Sequence, residues 1–331
     1  MKRFFALLLL TVVFSSCDDG DLTQVSFEFN NSPALACNST VADKFFLFKT
    51  QDKRALIIKL PESNFPNRIS ADLTTPTQPL LIDANTVRFI YREYSGNVDS
   101  NTLCSAVPAS NPMVVKEQEA TEGIIRIVTT ALKSEPDANG ATQITGYLHT
   151  LTFSDLKFNL GDGLSQINET FTPVTYQTQP TVFTNFAGIT GLNRCATDNS
   201  VFFKFLDKQA LVLDLSPADV AVLFTNQEGV KKRLVSSENK LTRLFFNTTN
   251  TTLTNGYFCT VPVPETPQII DSYSAVNGVE DVSGIIEVTS SPSDNGFKHK
   301  IVFKKVRFAK GSLNVELGNE FVFGEINIPN N

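Results

Sequence analysis

Gly146-Tyr147-Leu148-His149-Thr150-Leu151-Thr152-Phe153-Ser154-Asp155-Leu156-Lys157-Phe158 recurs 150 residues later as Gly296-Phe297-Lys298-His299-Lys300-Ile301-Val302-Phe303-Lys304-Lys305-Val306-Arg307-Phe308. Glycine, an aromatic, histidine and then apolar residues fall at matched steps. The only two histidines of the chain, His149 and His299, hold the same place in the two copies. In the later copy, charged Lys298 and Lys300 alternate with Phe297, Ile301 and Phe303, the period of a half-buried strand. Leu148, Leu151 and Phe153 follow a rougher version.

Working outward, the duplication covers most of the chain. Gly123-Ile124-Ile125 matches Gly284-Ile285-Ile286, and Cys104 with Val107-Pro108 matches Cys259 with Val261-Pro262. Arg88-Phe89-Ile90-Tyr91 matches Arg243-Leu244-Phe245-Phe246. Asp52-Lys53 with Ala55 to Ile58 matches Asp207-Lys208 with Ala210 to Leu213. Phe45 to Phe48 matches Phe202 to Phe205, Cys37 matches Cys195, and Asn168-Glu169-Thr170-Phe171 matches Asn319-Glu320-Phe321. The offset drifts from 150 to 161, as tandem copies do when they diverge at loops. Repeats this long imply two homologous domains and not a solenoid. We place them at 24–176 and 177–331, joined by a short polar linker from Thr175 to Pro180.

Frequent Thr, Val, Ile and Phe favour sheet. Ile285 to Thr289 and Lys298 to Phe303 flank Ser291-Pro292-Ser293-Asp294-Asn295-Gly296, a hairpin turn cluster. The clearest helix runs from Ser216-Pro217 to Leu223, with serine as N-cap and proline at the first helical position. Leu60-Pro61-Glu62-Ser63 is its fainter counterpart. The expectation is an all-β, mostly antiparallel protein: two tandem β-sandwich-like domains, each with one short helix.

The first residues stand apart. Met1-Lys2-Arg3 is basic, and Phe4 to Phe14 is apolar but too short to span a bilayer as a mature helix. Ser15-Ser16-Cys17 then resembles the lipobox of bacterial lipoproteins, with Phe14 where that family usually has leucine. The resemblance implies removal of residues 1–16, lipidation of Cys17, a tether over 17–23 and a membrane partner reached through the acyl chains. An ordinary secretory peptide cleaved near Ser16 is the alternative. Asp18-Asp19-Gly20-Asp21 resembles a surface-export signal in some diderm bacteria and an inner-membrane retention signal in others; we expect an outer-membrane lipoprotein. More than one acyl chain is needed for stable anchoring.

Four cysteines remain, two per copy, and allow three pairings. Homologous domains should carry homologous bridges, which selects Cys37–Cys104 and Cys195–Cys259. Each closes a loop of about 65 residues and contributes about 4 kcal/mol in the chain-entropy model. Such bridges persist in the periplasm or on the cell surface.

The net charge of −6 becomes −8 once Lys2 and Arg3 are lost, which argues against a nucleic-acid partner. Lys231-Lys232-Arg233 is the one strong basic cluster and reads as a solvated turn. Cysteine spacing and well-separated histidines give no metal site, and no cofactor motif appears. Asp137 to Gly140 and Gly161-Asp162-Gly163 read as turns and not calcium loops. Each histidine reads as a strand residue with its ring nitrogens hydrogen-bonded nearby, so no catalytic residue is assigned. With no Trp and 6 Tyr against 27 Phe, a sugar-binding platform has few candidates: Tyr91, Tyr94, Tyr257 and Tyr273. A non-enzymatic structural or interaction role in the cell envelope is expected first. Binding of a glycan or other extracellular ligand comes second, and hydrolysis third.

Overall fold

The structure, a computed structural model, describes residues 29, 31, 33–37, 45–72, 78–105, 110–161, 164–179, 186, 189, 191–196, 198–249 and 251–329. The expected signal, the lipid cysteine Cys17, the acidic tether and Asp162-Gly163 lie outside these residues. No described helix is long and apolar enough to cross a membrane.

The first copy contains β1 (Leu35–Cys37), β2 (Phe46–Gln51), β3 (Arg54–Lys59), β4 (Leu80–Leu81), β5 (Arg88–Tyr94), α1 (Ser100–Cys104), β6 (Val114–Lys133), β7 (Ile144–Gly161) and β8 (Leu164–Thr178). The second opens with β9 (Asn193–Arg194), β10 (Val201–Leu206), β11 (Gln209–Asp214), α2 (Pro217–Leu223), β12 (Gly229–Leu234) and β13 (Lys240–Asn247). It closes with α3 (Asn255–Cys259), β14 (Gln268–Ala275), β15 (Ile285–Ser293), β16 (Gly296–Lys304), β17 (Arg307–Lys310), β18 (Leu313–Glu316) and β19 (Glu320–Pro329). Every pairing between these strands with a described register is antiparallel, so the protein is all-β as its composition implies.

Equivalent elements begin alike. Two-residue turns at Asp52-Lys53 and Asp207-Lys208 join β2 to β3 and β10 to β11, and both aspartates take positive φ, 53° and 51°. The copies then part. β14 belongs to the seven-stranded sheet β18-β17-β14-β13-β11-β10-β9, and β15 to the four-stranded sheet β12-β15-β16-β19. β16 and β17, and likewise β18 and β19, divide between the same two sheets. In the first copy each of these pairs is one unbroken strand: β6, β7 or β8, within the sheet β1-β2-β3-β5-β6-β7-β8. Strands that turn a corner from one sheet into another need a local bend. Gly123 (φ 151°) and Asp155 (φ 55°) stand where the second copy has Gly284 (φ 65°) and Lys305 (φ 48°). The repeated glycine therefore stands between strands of the two sheets in the second copy and inside unbroken β6 in the first.

The compact units divide near these points of β6 and β7. One unit comprises the described residues up to Glu62, with Pro79–Ile125 and Thr152–Val174; the other comprises Ser63–Gln78, Arg126–Leu151 and Thr175–Asn331. The first unit packs Phe89 against Phe153 and Phe171, with centroids 5.2 and 5.0 Å apart. Ion pairs Arg88–Glu119 and Arg92–Glu117 cross its β5–β6 seam. The core of the other unit gathers Phe202, Phe245, Phe303, Phe308 and Phe323, together with Ile144 and Tyr147 from β7. Its margin is fastened by Thr142, whose N–H donates to the Glu316 carbonyl (3.0 Å) while its Oγ1 accepts from Glu316 N–H (2.9 Å). Asn139 holds the backbone of Glu320 through both amide atoms.

Three local expectations change. Thr175 to Thr178 are the end of β8 and not linker. The hairpin cluster shrinks to Asp294-Asn295, because β15 and β16 stay paired up to Ser293 and Gly296. Two five-residue helices, α1 and α3, carry Cys104 and Cys259 at their ends. The α2 expectation holds in detail: Ser216 caps it by accepting from Asp219 N–H at 3.1 Å, and Pro217 opens it. Its counterpart is a single 3₁₀ turn, Glu62–Asn64.

The left-handed step is testable at Gly123. A Cβ there would lie 2.7 Å from Leu156 Cδ2 and 3.0 Å from Ile82 Cδ1, on a backbone that L residues rarely adopt. Gly123→Ala is expected to cost about 1–3 kcal/mol. Urea unfolding of both proteins checks this, and an unchanged midpoint would refute the close packing at Gly123.

Candidate functional site

Both disulfides form as the repeat implies, Cys37–Cys104 and Cys195–Cys259, each with Cα atoms 5.3 Å apart. Each ties the start of its copy to the end of a short helix. Asp99 caps α1 by accepting from Thr102 N–H at 2.9 Å, a cap signal readable in the sequence but not read.

The tyrosine candidates do not offer a platform. Tyr91, Tyr94, Tyr257 and Tyr273 are 2, 5, 6 and 2% exposed, so none presents a ring face to solvent. Burial, with Glu93 as acceptor for its hydroxyl at 3.1 Å, pushes Tyr91 up to about 12. The basic run is not a solvated turn either. It lies on β12, where Lys232 pairs with Glu287 (3.5 Å), Arg233 pairs with Asp219, and Lys231 buries its Nζ. Asp137 places its Oδ1 on the N–H groups of Asn139 (2.8 Å) and Ala141 (2.9 Å), which holds a turn. Among the described residues no group of three or more His, Cys, Asp or Glu is placed to hold a metal ion.

Each histidine is fully buried beside a hydroxyl of the preceding strand. Thr129 Oγ1 lies 2.8 Å from His149 Nδ1, and Ser290 Oγ lies 2.8 Å from His299 Nδ1. The rings meet equivalent phenylalanines edge to face, Phe65 and Phe224, both at 5.2 Å. The second ring nitrogen distinguishes the copies. His149 Nε2 lies 2.9 Å from Thr178 Oγ1, and that hydroxyl donates to Asn67 Oδ1 at 2.7 Å. Asn67 is oriented by its own donation to the Gln179 carbonyl (2.8 Å). With the Thr178 proton committed to Asn67, His149 carries its proton on Nε2, and Nδ1 accepts from Thr129. His299 Nε2 is buried with no hydrogen-bond partner among the described residues. The expectation of two fully bonded rings therefore holds for His149 and half holds for His299.

Burial supplies further chemistry that the sequence reading missed. Lys204, 1% exposed, points its Nζ at the carbonyls of Ile189 and Val322 (both 3.3 Å) and sits over the Phe321 ring at 4.8 Å. Desolvation pushes it down to about 8. Arg243 donates to Gln209 Oε1 at 2.8 Å, stacks on Phe186 and is pushed down to about 10 by burial. It lines a cleft of about 660 Å³ with Phe186, Phe308, Phe321, Glu316 and Glu320. A buried cation at an apolar wall with carboxylates nearby can orient a small polar ligand. No protein-family model, curated protein or solved structure matches the chain.

The His149 environment fixes a pH response. Burial pushes its pKa down from 6.5 to about 4. The unfolded chain takes up this proton near its ordinary value, whereas the folded ring stays neutral until about pH 4. Stability present above pH 6.5 is therefore lost as pH falls across that window, by up to about 3 kcal/mol. His149→Gln is expected to be less stable at neutral pH by about 1–3 kcal/mol and to lose less on acidification. Denaturant melts between pH 7 and pH 4 read both; parallel pH curves would contradict the assignment.

Proposed function

We propose that the protein is a lipid-anchored, non-enzymatic interaction protein of the cell envelope. The pair of disulfides at equivalent places carries this reading, because such bridges belong to an oxidising compartment. The lipobox-like Ser15-Ser16-Cys17 ahead of them supplies the anchor. Hydrolysis finds little support at the histidines. Their hydroxyl partners Thr129 and Ser290 are 3 and 1% exposed, and a nucleophile must reach its substrate. Both hydroxyls also face Nδ1 from deep in the sheet, with no carboxylate of the described residues bonded to the other ring nitrogen.

One observation favours a second reading, an extracellular ligand-binding lipoprotein: the 660 Å³ cleft lined by Arg243 has the volume of a small-molecule site. Specific micromolar binding on a glycan array would put that reading first.

The anchor is tested by Cys17→Ser. The wild type should incorporate labelled palmitate and sediment with membranes, and the variant should do neither. A wild type that incorporates no lipid, with the variant equally membrane-bound, would overturn the anchor.

A further inference from the structure

The two copies carry the same cross-strand row, and one member of it has changed. Counted from the matched turns at Asp52 and Asp207, Lys49, Leu56, Tyr91 and Gln118 stand side by side on β2, β3, β5 and β6. Lys204, Leu211, Arg243 and Tyr273 stand side by side on β10, β11, β13 and β14. Ladder register therefore sets Arg243 at the place of Tyr91, and not of Arg88, its match by sequence. Gln209 likewise takes the place of Arg54. In the first copy a half-buried Arg54 opens β3 and engages Tyr91. In the second, a buried Arg243 lies inside β13 and donates to Gln209 at 2.8 Å. The guanidinium has moved from a strand end to the interior of a sheet.

Residues directly opposite one another on neighbouring strands share a face. Leu211 and Tyr273 belong to the core, so Lys204 and Arg243 lie on the core face too. The lysine is common to both copies and is closed in, with the carbonyls of Ile189 and Val322 both 3.3 Å from its Nζ and the Phe321 ring at 4.8 Å. Arg243 is the addition, and it borders space. Its Cζ lies 5.6 Å from the Phe186 centroid, and Phe186, Phe308, Phe321 and Arg243 line the one cleft of about 660 Å³. Glu135, Asp137, Glu316 and Glu320 line it as well, and Lys304 pairs with Glu320 at 3.1 Å.

Each of these features selects a ligand. The planar fork of a guanidinium matches a carboxylate, and walls that exclude water strengthen that pairing. Aromatic walls call for an apolar body. Four carboxylates around one guanidinium repel a second negative charge, which disfavours dicarboxylates and phosphates.

We propose, resting on the ligand-binding reading above, that the cleft takes a small monocarboxylate with an aromatic or branched apolar body. Arg243 receives the carboxylate, and Phe186, Phe308 and Phe321 receive the body.

The test is isothermal titration of the whole chain with 3-phenylpropanoate, with its uncharged amide, and with benzylsuccinate, which adds a second carboxylate to the same skeleton. The acid should bind saturably and about tenfold more tightly than either of the others. Arg243→Lys, with its circular dichroism unchanged, should bind the acid about tenfold more weakly. Glu316→Gln should raise the affinity for benzylsuccinate and leave that for the amide as it was. Acid and amide are compared on the wild type, so the charge preference is decided even where Arg243→Lys does not fold. Absence of acid binding would overturn the proposal, as would equal binding of acid and amide or full affinity in a folded Arg243→Lys. Binding of the amide alone would leave a ligand site of other chemistry. Silence from every probe, with a blank glycan array, would sink the ligand-binding reading as well.

Discussion

The repeat places a left-handed backbone step at the same two points of each copy. Gly123 and Asp155 provide it in the first copy, Gly284 and Lys305 in the second. Glycine meets the need for positive φ at no steric cost, and a lone aspartate or lysine can be held there by the paired strands around it. At Gly284 the geometry leaves no choice, because a Cβ would lie 2.5 Å from Gly278 Cα. The unit borders at 125/126 and 151/152 fall within four residues of Gly123 and Asp155. Packing thus groups the far ends of β6, β7 and β8 with the second copy, and Ile144 and Tyr147 join its core.

Inside this frame the histidines occupy a position that the fold can use in two ways. A buried imidazole has two nitrogens to satisfy, and the hydroxyl of the preceding strand answers one of them in both copies. What answers the other is decided one strand further on, by a side chain free to vary. Thr178 closes the site in the first copy, and at the 150-residue offset Ile328, which offers no hydrogen-bonding group on its side chain, stands in its place.

Much of this was legible in the residues themselves. The cysteine pairs and α2 followed from spacing, because spacing is what a repeat preserves and what a cap requires. Strand ends were less legible. Ser291-Pro292-Ser293 looks like turn, yet ladder pairing with Lys298, Phe297 and Gly296 carries it into β15. Exposure was least legible. Tyr91 and Tyr273 have the chemistry of a surface platform but lie on inward faces, while Lys204 and Arg243, charged and therefore expected outside, are buried over aromatic rings. Lys231 looked solvated because a run of three basic residues conceals alternation: in a strand, its members face opposite sides.

The most direct measurement is the long-range nitrogen–proton correlation spectrum of the imidazoles, which reports tautomer and charge separately for each ring. With only two histidines in the chain, both can be assigned from single substitutions. At neutral pH both rings should be neutral and protonated on Nε2, with Nδ1 unprotonated beside the Thr129 or Ser290 hydroxyl. A proton on Nδ1 of either ring, or an imidazolium at His149, would contradict the shared design.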